Sequence, residues 1–591
     1  MSVGGTAGYR WDMADPTTPT TATSSATNTT NISAPTNAAD PAAPTNATNT
    51  TSADTPTTGR PTPAAEPLDL LIVGAGIGGI DLAHHVLRDF PGWNWEIIDS
   101  NTDIGGTWAT FTYPGIRSDS DMASFALPYR PWEGKHTLGQ GAEIRSYLRD
   151  AAREDGVLQR IRLNTWVKSV NFDTASGLWG VTTVPAHDHG PDDRPDAPAA
   201  NREETVIRTR RLHLATGYYD HRNGYLPHYE GQEDFTGTLV HAQAWDPARQ
   251  GDLRGKRIVV IGSGATAVTV VPALAELGAR VTMLQRTPTW VAALPDFDTI
   301  TTIWTHLVPN RRLAHKIARA NHIVRDMSQW YIARYTPFLF RWFLHGIQRR
   351  WLTPEQIRRD FTPPYAPWDQ RVCKAPEGDI FAAVKAGTAE VVTATIDRFV
   401  PEGVRLTDGR VLPADTVISA TGLQLQMFGG ASVHVDGRAV DVSRLVAYRG
   451  VLLSGLPNIS FTVGYLNQSW TTRADLTARY LVRLWHHMVD HGEPLAAPRV
   501  PGPEVERREL LDFEAGYVRR GRHLTPRQGD RSPWRYRQDY LAEWPELSRG
   551  DVTDEMTFGA DAASAATSVA ASTAGSVATS GTATTSTASA G

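Results

Sequence analysis

Two stretches of the chain repeat one pattern of apolar and polar positions. The apolar run LDLLIVGAG at 68–76 leads into a predicted helix through 80–88 and a second strand, WEIID at 95–99. KRIVVIGSG at 256–264 leads in the same way into a helix ending near 277 and the strand RVTMLQR at 280–286. Unbroken apolar runs of this kind are typical of parallel strands that are buried on both faces. The pattern therefore predicts an α/β fold with two Rossmann-like units.

A glycine-rich loop, GAGIGG, follows the first strand. Gly74 permits the tight turn, Gly76 lets the backbone approach a pyrophosphate, and Gly79 allows the helix to pack closely on the strand. Asp99 ends the next strand, where an acid hydrogen-bonds the ribose hydroxyls of a dinucleotide. We expect this first unit to bind FAD.

The second loop, GSGATA, carries Gly262 and Gly264, with Ala267 in place of a third glycine. Arg286 stands where the first unit has its acid, and Thr287 follows it. An arginine at this point suits the 2′-phosphate of NADPH, so NADPH is favoured over NADH. A surface arginine without a ligand is the alternative.

Composition divides the chain into five segments. Residues 1–67 and 559–591 are rich in Thr, Ala, Ser and Pro or Gly, and we expect both tails to be disordered because they offer little apolar surface to bury. The FAD-binding domain is predicted at 68–217 and 386–558, with the NADPH-binding domain inserted at 218–385. The strand DTVISATG at 415–422 is assigned to the FAD domain, and the hydrophilic stretch 187–204 is predicted to be a hairpin loop.

A helical insert is predicted at 297–352 within the NADPH-binding domain. Its aromatic, aliphatic and arginine residues recur at helical spacing, which indicates two or three helices. A cap over a substrate channel is the favoured interpretation. An interfacial membrane helix fits the same pattern and stays open.

The charge and cysteine content exclude several classes of protein. The chain has 591 residues and a net charge of -5, which gives no general attraction to nucleic acid. Its single cysteine, Cys373, excludes an internal disulfide, a CxxC redox pair and a cysteine-built metal cluster, and we expect no metal site. Cys373 is either a reactive thiol or a small buried hydrophobe. Without a secretory signal or a long apolar run, a cytoplasmic location is expected.

Two further motifs carry a resemblance to a known family. The segment FTGTLVHAQAWD meets the pattern FxGxxxHxxxW(P/D), and GGTWATFTYPGIRSD resembles the same family's GGTW and YPG segment. On these motifs the chain resembles the class B flavoprotein monooxygenases of the Baeyer-Villiger type. Four later segments resemble the ethionamide-activating branch of that family more than the cyclohexanone or phenylacetone branches: FTPPYAPWDQRVCKAPEGDIF, ATGLQLQMFGGA, VGYLNQSWTTRADL and SPWRYRQDYL. The residues that match are Phe235, Gly237, His241, Trp245 and Asp246 in the first motif, and Thr107, Trp108 and Asp119 in the second.

The resemblance implies an activity and a set of roles. NADPH would reduce FAD, O2 would add at flavin C4a, and the peroxide would insert oxygen into ketones to give esters, with S-oxidation of sulfides or thioamides besides. Arg371 in WDQRVC maps to the arginine that stabilises the peroxide, and Asp119 to its acidic partner. His241 would belong to an interdomain linker and do no acid-base chemistry. Several family members have a lysine where this chain has Gln370, which places more of the NADPH selectivity on Arg286 and Thr287.

Two other functions stay open at this point. One is an N-hydroxylating or S-oxygenating flavin monooxygenase without Baeyer-Villiger activity, and the other is a non-catalytic flavin-binding protein. The oligomeric state and the physiological substrate do not follow from the sequence.

Overall fold

The computed structural model describes residues 66–186, 203–513 and 515–573. The predicted N-terminal tail, except for its last two residues, and the part of the C-terminal tail beyond residue 573 lie outside the described residues, as does most of the 187–204 loop.

The described residues form 26 strands and 15 α-helices. The strands are β1 Leu70–Val73, β2 Trp95–Ile98, β3 Ile161–Arg162, β4 Thr165–Asp173, β5 Leu178–Pro185, β6 Thr205–Thr209, β7 Leu212–Leu214, β8 Thr238–His241, β9 Arg257–Ile261, β10 Arg280–Gln285, β11 Val291–Leu294, β12 Cys373–Pro376, β13 Ala389–Thr393, β14 Ile396–Val400, β15 Gly403–Leu406, β16 Val411–Pro413, β17 Thr416–Ser419, β18 Ser432–Val435, β19 Arg438–Ala439, β20 Ala447–Tyr448, β21 Leu452–Leu453, β22 Ile459–Phe461, β23 Ala496–Pro498, β24 Arg508–Glu509, β25 Arg527–Gln528 and β26 Met556–Phe558. The helices are α1 Ile77–Asp89, α2 Thr107–Thr110, α3 Met122–Phe125, α4 Gly141–Glu154, α5 Pro247–Gln250, α6 Ala265–Glu276, α7 Thr299–Leu307, α8 Arg311–Tyr335, α9 Pro337–Gln348, α10 Pro354–Asp360, α11 Asp379–Ala386, α12 Trp470–Asp490, α13 Gly516–Gly521, α14 Tyr540–Arg549 and α15 Gly559–Thr573.

The first predicted unit is built on a seven-stranded sheet in the order β20-β21-β22-β7-β1-β2-β3. Strands β22, β7, β1, β2 and β3 run parallel, and Ile72 of β1 pairs with Ile97 of β2. Both strands are fully buried at these positions, and α1 packs against α12 on one side of the sheet. The prediction of a first Rossmann-like unit with a parallel sheet is confirmed.

The second unit is a five-stranded parallel sheet in the order β13-β10-β9-β17-β8. Its core is aliphatic, with Val260 and Ile418 buried on adjacent strands and Val270 of α6 buried against them. The repeated strand, glycine loop and helix predicted from the sequence are therefore present twice.

The assignment of 415–422 to the first domain is wrong. β17 pairs with β9 on one side and with β8 on the other, as Ile418 lies opposite Val260 and Val240. β13 also belongs to this sheet, beside β10. The second unit therefore extends past the predicted boundary at 385/386 to the end of β17, because backbone pairing and not apolar content decides which sheet a buried strand joins.

A third sheet has the strand order β19-β18-β4-β5-β6 and combines strands from two distant parts of the chain. β5 and β6 are antiparallel, with Trp179 opposite Thr209, so they form the hairpin predicted on either side of 187–204. The loop itself lies largely outside the described residues.

The expectation of disorder from residue 559 onward is wrong for its first part. Residues 559–573 form α15, whose side chains at Ala562, Ala566, Val569 and Ala570 are buried in the core shared with the first sheet. These positions recur at helical spacing and so form one apolar face. Small side chains let this helix lie close to its neighbours, which the low aliphatic content of the sequence conceals.

The insert contains three helices, α7, α8 and α9, in agreement with the prediction. Asp298 caps α7 by accepting a hydrogen bond from the Thr301 amide at 3.0 Å, and Asn310 caps α8 by accepting one from Leu313 at 3.1 Å. Arg319 of α8 donates to the backbone oxygen of Ser124 at 2.8 Å. The insert is thereby fixed to the first unit.

The length and hydropathy of each helix show whether it could cross a membrane. Among the residues that the structure describes, no helix combines the length and the apolar character needed to cross a bilayer.

Candidate active site

A cavity of about 560 Å³ joins the two dinucleotide units. The loop after β1 and the segment around Trp108 form one wall, and the start of α6 and the end of β17 form another. Arg371 and its neighbours, the turn after β7 and the start of α12 complete the lining. The cavity lies beyond the carboxyl ends of the parallel strands, which is where ligands bind in open α/β sheets.

The first loop has the geometry that its sequence predicts. Gly74 has φ +112°, and a Cβ at this position would overlap the backbone oxygen of Ala215. A Cβ at Gly79 would overlap the oxygen of Gly74, so only glycine lets α1 start this close to β1. Asp99 accepts a hydrogen bond from the Ala75 amide at 2.6 Å, which fixes its carboxylate at the loop and on the cavity wall.

The cavity walls also fit a dinucleotide at the points of closest approach. A Cβ built at Gly217 on the cavity wall, or at Gly264 just outside the lining, would meet no atom within 4 Å beyond its own chain neighbours, so both backbones border open space. Gly76, Thr107 and Trp108 line the cavity, and the ring of Trp108 meets Phe125 edge to face at 5.8 Å. Backbone amides next to open space at a helix start are the groups that bind a pyrophosphate.

The second loop lies at the edge of the cavity. Ala265 and Thr266 reach the lining, whereas Gly262, Gly264, Arg286 and Thr287 do not. The hydroxyl of Ser263 donates to the backbone oxygen of Thr287 at 2.8 Å, which holds the end of β10 beside the loop. Arg286 is exposed there and forms no ion pair with another described residue. Its charge is therefore available to a ligand.

Arg371 and Asp119 are in contact, as the resemblance predicts. Nη2 of Arg371 lies 2.9 Å from Oδ1 of Asp119, and both side chains line the cavity with exposed fractions of 27% and 38%. Burial alone lowers the pKa of Arg371, but the Asp119 carboxylate and nearby tyrosines outweigh this effect and raise it above its ordinary value. Arg371 is therefore a permanent cation with one fixed partner.

Three tyrosines beside Arg371 were not predicted. The hydroxyls of Tyr218 and Tyr219 are hydrogen-bonded to each other, and Tyr517 lies against both rings. Trp470 stacks on Tyr218 with ring centroids 5.2 Å apart. Burial raises the pKa of all three hydroxyls, so they stay protonated beside the cation. The pair Tyr218 and Tyr219 follows the turn after β7, but nothing in the sequence indicates that Tyr517 joins it.

The His241 side chain caps the short helical turn at 242–244 in the linker. Its Nδ1 accepts a hydrogen bond from the Gln243 amide at 3.1 Å, so its Nε2 donates to the backbone oxygen of Gly422 at 3.1 Å. Burial lowers the pKa of His241, which leaves the ring neutral at pH 7. The histidine thus joins the end of β8 to the turn that follows β17.

The other residues of this motif shape the linker. Phe235 packs edge to face on Phe399 at 5.7 Å, and Trp245 is buried in the core of the second unit. A Cβ at Gly237 would crowd the Asp415 backbone oxygen, and Asp246 caps α5 by accepting from the Ala248 amide at 3.0 Å. All five residues are therefore explained by structure, and only His241 lines the cavity.

The YPG segment at 113–115 connects the units. The hydroxyl of Thr112 donates to the backbone oxygen of Trp245 at 2.6 Å, and Gly115 lies so close to α6 that a Cβ would contact Thr269. Arg117 forms an ion pair with Asp379 at 2.6 Å. These contacts hold the wall that carries Asp119 against the second unit.

The sequence allows two alternatives for Cys373, a reactive thiol and a small buried hydrophobe, and the structure supports the buried hydrophobe. It pairs with Val291 between β12 and β11 and belongs to the core of the second unit. Burial raises the pKa of its thiol to about 12, so the nucleophilic thiolate is not populated at neutral pH.

The chain matches a family model and several known proteins. Residues 68–306 match the model described as pyridine nucleotide-disulphide oxidoreductase. The chain is 42% identical over 492 residues to the FAD-containing monooxygenase EthA of Mycobacterium tuberculosis, covering 83% of this chain and 97% of that protein. It is 37% identical over 489 residues to the probable FAD-binding monooxygenase AlmA of Acinetobacter baylyi, covering 82% and 95%.

Solved structures share the fold at lower identity. An oxidized steroid monooxygenase bound to NADP superimposes with a TM-score of 0.64 at 18% identity, covering 84% of this chain and all of that one. The polycyclic ketone monooxygenase of Thermothelomyces thermophila gives a TM-score of 0.65 at 18% identity, covering 85% and 91%. The two glycine loops, the cavity between them and the extent of the sequence match lead to one conclusion: the chain belongs to the family of FAD-containing monooxygenases.

Proposed function

We propose that the protein is an FAD- and NADPH-dependent monooxygenase of the Baeyer-Villiger type. It converts a ketone, O2, NADPH and a proton into an ester, water and NADP+, and it also oxidises sulfides or thioamides at sulfur. The observation that carries this proposal is the fixed Arg371–Asp119 ion pair in the cavity between two dinucleotide loops.

Cofactor binding follows from the two loops. The amides after Gly74 and Gly76 bind the FAD pyrophosphate, and Asp99 binds its ribose. The loop at Gly262 and the side chains of Arg286 and Thr287 bind NADPH through its phosphates. When they are bound, NADPH supplies the hydride and FAD supplies the activation of O2.

The protein itself contributes electrostatics and shielding. Arg371 cannot lose its proton and lines the cavity, so it would stabilise negative charge that develops on oxygen there. Asp119 fixes the direction of the guanidinium group. The rings of Tyr218, Tyr219 and Trp470 cover this region and reduce its contact with water. Neutral hydroxyls next to Arg371 leave its charge available to the developing anion.

The test is product analysis with a linear methyl ketone. Purified FAD-loaded protein is given NADPH, O2 and 2-octanone, and the products are separated by gas chromatography. We expect hexyl acetate from the wild type and its loss in Arg371→Ala. Arg410→Ala is the matched control, because Arg410 is an exposed arginine that pairs with Asp408 in the β15–β16 hairpin.

The outcomes separate the alternatives. Oxygenated sulfide without any ester from a panel of ketones would replace the Baeyer-Villiger assignment with S-oxygenation. Flavin that stays oxidised when NADPH is added without O2 would show a non-catalytic flavoprotein. Equal ester formation by Arg371→Ala and the wild type would remove Arg371 from the chemistry.

A further inference from the structure

An apolar surface on the insert is exposed in the part of the chain that the structure describes, and its printed ring contacts, Tyr335 with Tyr331 and Phe343 with Phe340, lie within the insert itself. It consists of Tyr335 at the end of α8 and of Phe338, Leu339, Trp342 and Phe343 on α9, and we call it the α9 surface. Tyr335 and Trp342 are 76% and 75% exposed, and Phe338 is 67% exposed. Exposed aromatic and aliphatic side chains that lie side by side mark an interaction site far more often than single ones do.

The inner face of α9 is apolar as well. Phe340 and Leu344 are buried in a small core with Trp290 and Val372. A helix that is apolar on both faces is typical of a protein core or of lipid. Transfer of an exposed apolar side chain out of water is favourable, and a helix in water does not gain this free energy. With 12 residues α9 is too short to cross a bilayer, so it would lie in the interface plane.

The charges around the α9 surface are positive. Between residues 327 and 354 the sequence has no Asp or Glu but has four arginines, in a chain whose net charge is -5. Arg349 and Arg350 are exposed directly after α9. Arg334, exposed before α9, pairs with Asp369 at 3.5 Å, so Arg349 and Arg350 are the cations next to the α9 surface without an ion-pair partner among the described residues. Arginine beside Trp, Tyr and Phe is the composition of helices that lie at anionic membrane surfaces.

We propose that the α9 surface binds the interface of an anionic lipid bilayer, with its aromatic side chains among the acyl chains and Arg349 and Arg350 at the headgroups. A second copy of the chain is a poorer occupant. A twofold dimer through this surface would bring the same arginines of both copies together, and like charges in contact oppose association.

Binding there would place the membrane close to the active site. α8 runs from Tyr335 to Asp326 and Gln329, which border a small cavity together with Asp119 and Arg371. The distance along the helix is about 14 Å, since an α-helix rises about 1.5 Å per residue. Val372, next to Arg371, packs in the same core as α9. If the proposed function holds, apolar substrates dissolved in the bilayer reach the cavity along this insert.

The experiment is sedimentation of the full-length, FAD-loaded protein with vesicles. Vesicles of phosphatidylcholine alone are compared with vesicles that also contain phosphatidylglycerol. We expect co-sedimentation with the anionic vesicles, weakened by salt, and at least about a tenfold loss in the double variant Phe338→Ser/Trp342→Ser. Val500→Ser/Leu541→Ser is the matched control, because both side chains are exposed elsewhere on the protein.

A second pair of variants tests the charges. Arg349→Gln/Arg350→Gln should lose most of the preference for anionic vesicles, while Arg507→Gln/Arg508→Gln, another adjacent exposed pair, should keep it. Two results would overturn the proposal: no co-sedimentation of the wild type, or equal binding by all four variants. A dimer that dissociates in Phe338→Ser/Trp342→Ser, without any vesicle binding, would also overturn it in favour of a second copy. Vesicle binding does not depend on turnover, so a failure of the proposed function is seen separately in the ester assay.

Discussion

Nη2 of Arg371 donates a hydrogen bond to Oδ1 of Asp119 at 2.9 Å, and the two residues are 252 positions apart in the chain. Asp119 follows the YPG segment that packs on α6, and Arg371 precedes β12. The pair therefore forms only when the two units are packed together. It links the assembly of the cavity to the direction in which the guanidinium group points.

The first prediction concerns Asp119 as the positioning partner of Arg371. Asp119→Ala should lower the rate of ester formation by about tenfold to a hundredfold, since a hydrogen bond to a charged group contributes about 1.5–3 kcal/mol. NADPH oxidation should continue and release more peroxide, because Arg371 keeps its charge but loses its direction. Parallel measurements of ester, NADPH and peroxide check this.

Asp408→Ala is the control, because Asp408 pairs with Arg410 at the protein surface. Unchanged coupling of NADPH to ester in Asp119→Ala would show that the guanidinium group needs no partner. The rate of ester formation by Asp119→Asn should lie between the rates of Asp119→Ala and Asp408→Ala, since the amide oxygen of Asn accepts a hydrogen bond but carries no charge.

Arg286 should determine the preference for NADPH. Arg286→Ala should raise KM for NADPH by about tenfold to a hundredfold and leave KM for NADH nearly unchanged, because an arginine–phosphate contact exists only with the 2′-phosphate. Steady-state kinetics with both nucleotides measure this. Arg280→Ala is the control, since Arg280 is exposed at the opposite end of β10. An equal rise in KM for both nucleotides would place Arg286 at another part of the cofactor.

Both dinucleotide units could be predicted because their signals are local. β1 and β9 are apolar runs followed at once by glycines whose backbone angles the turn requires, such as Gly74 at φ +112°. β17 was assigned to the wrong unit for the opposite reason. Its apolar run indicates a buried strand, but its neighbours β8 and β9 come from distant parts of the chain.

The candidate site likewise contains some residues that could be predicted from local sequence and others that could not. Arg371 and Asp119 were found through motifs that occupy consecutive positions. Tyr517 joins Tyr218 and Tyr219 only through the packing of a late segment on an early one, which no local pattern records. The helix α15 was missed because Ala-rich sequences have low aliphatic content, although small side chains pack closely when a complementary surface is present.

Val569 should stabilise the protein by anchoring α15. Val569→Asp should lower Tm by about 3 °C or more, because it places an unpaired charge where the valine side chain is buried against Gly455. Thr567→Asp, at an exposed position of the same helix, should leave Tm nearly unchanged. Thermal unfolding followed by flavin fluorescence measures both. Equal Tm values for the two variants would show that α15 contributes nothing to stability.

Asp81 should make stability depend on pH. The side chain lies at 0% exposure on α1, and neither of its carboxylate oxygens has a hydrogen-bond partner in the described structure. Burial and then the neighbouring Asp475 raise its pKa to about 7, against smaller opposing effects of His85, Arg479 of α12 and Arg319 of α8. In the unfolded chain the pKa returns to 3.8.

The sign of the effect follows from these two values. The folded state holds the proton more tightly than the unfolded state, so the contribution of Asp81 to stability is fully present below pH 3.8 and is lost as the pH rises to about 7. Asp81→Asn cannot ionise and should gain stability relative to the wild type as the pH is raised from 5 to 8, by about several degrees in Tm. Thermal unfolding at a series of pH values measures the difference.

The control variant for the Asp81 prediction, and a result that would contradict this prediction, both involve residues of α1. Asp89→Asn, at the end of α1 where the side chain pairs with Arg88, is the matched control for the removal of one carboxylate from this helix. Asp81, His85 and Asp475 also place three potential ligand atoms within 4.8 Å of one another. Elemental analysis that found one Zn²⁺ per chain in the wild type and none in Asp81→Asn would contradict the protonated carboxyl, because a metal ligand must be deprotonated. Asp81→Asn would then lower Tm at every pH, since it would remove a bond between α1 and α12 and not an unfavourable buried charge.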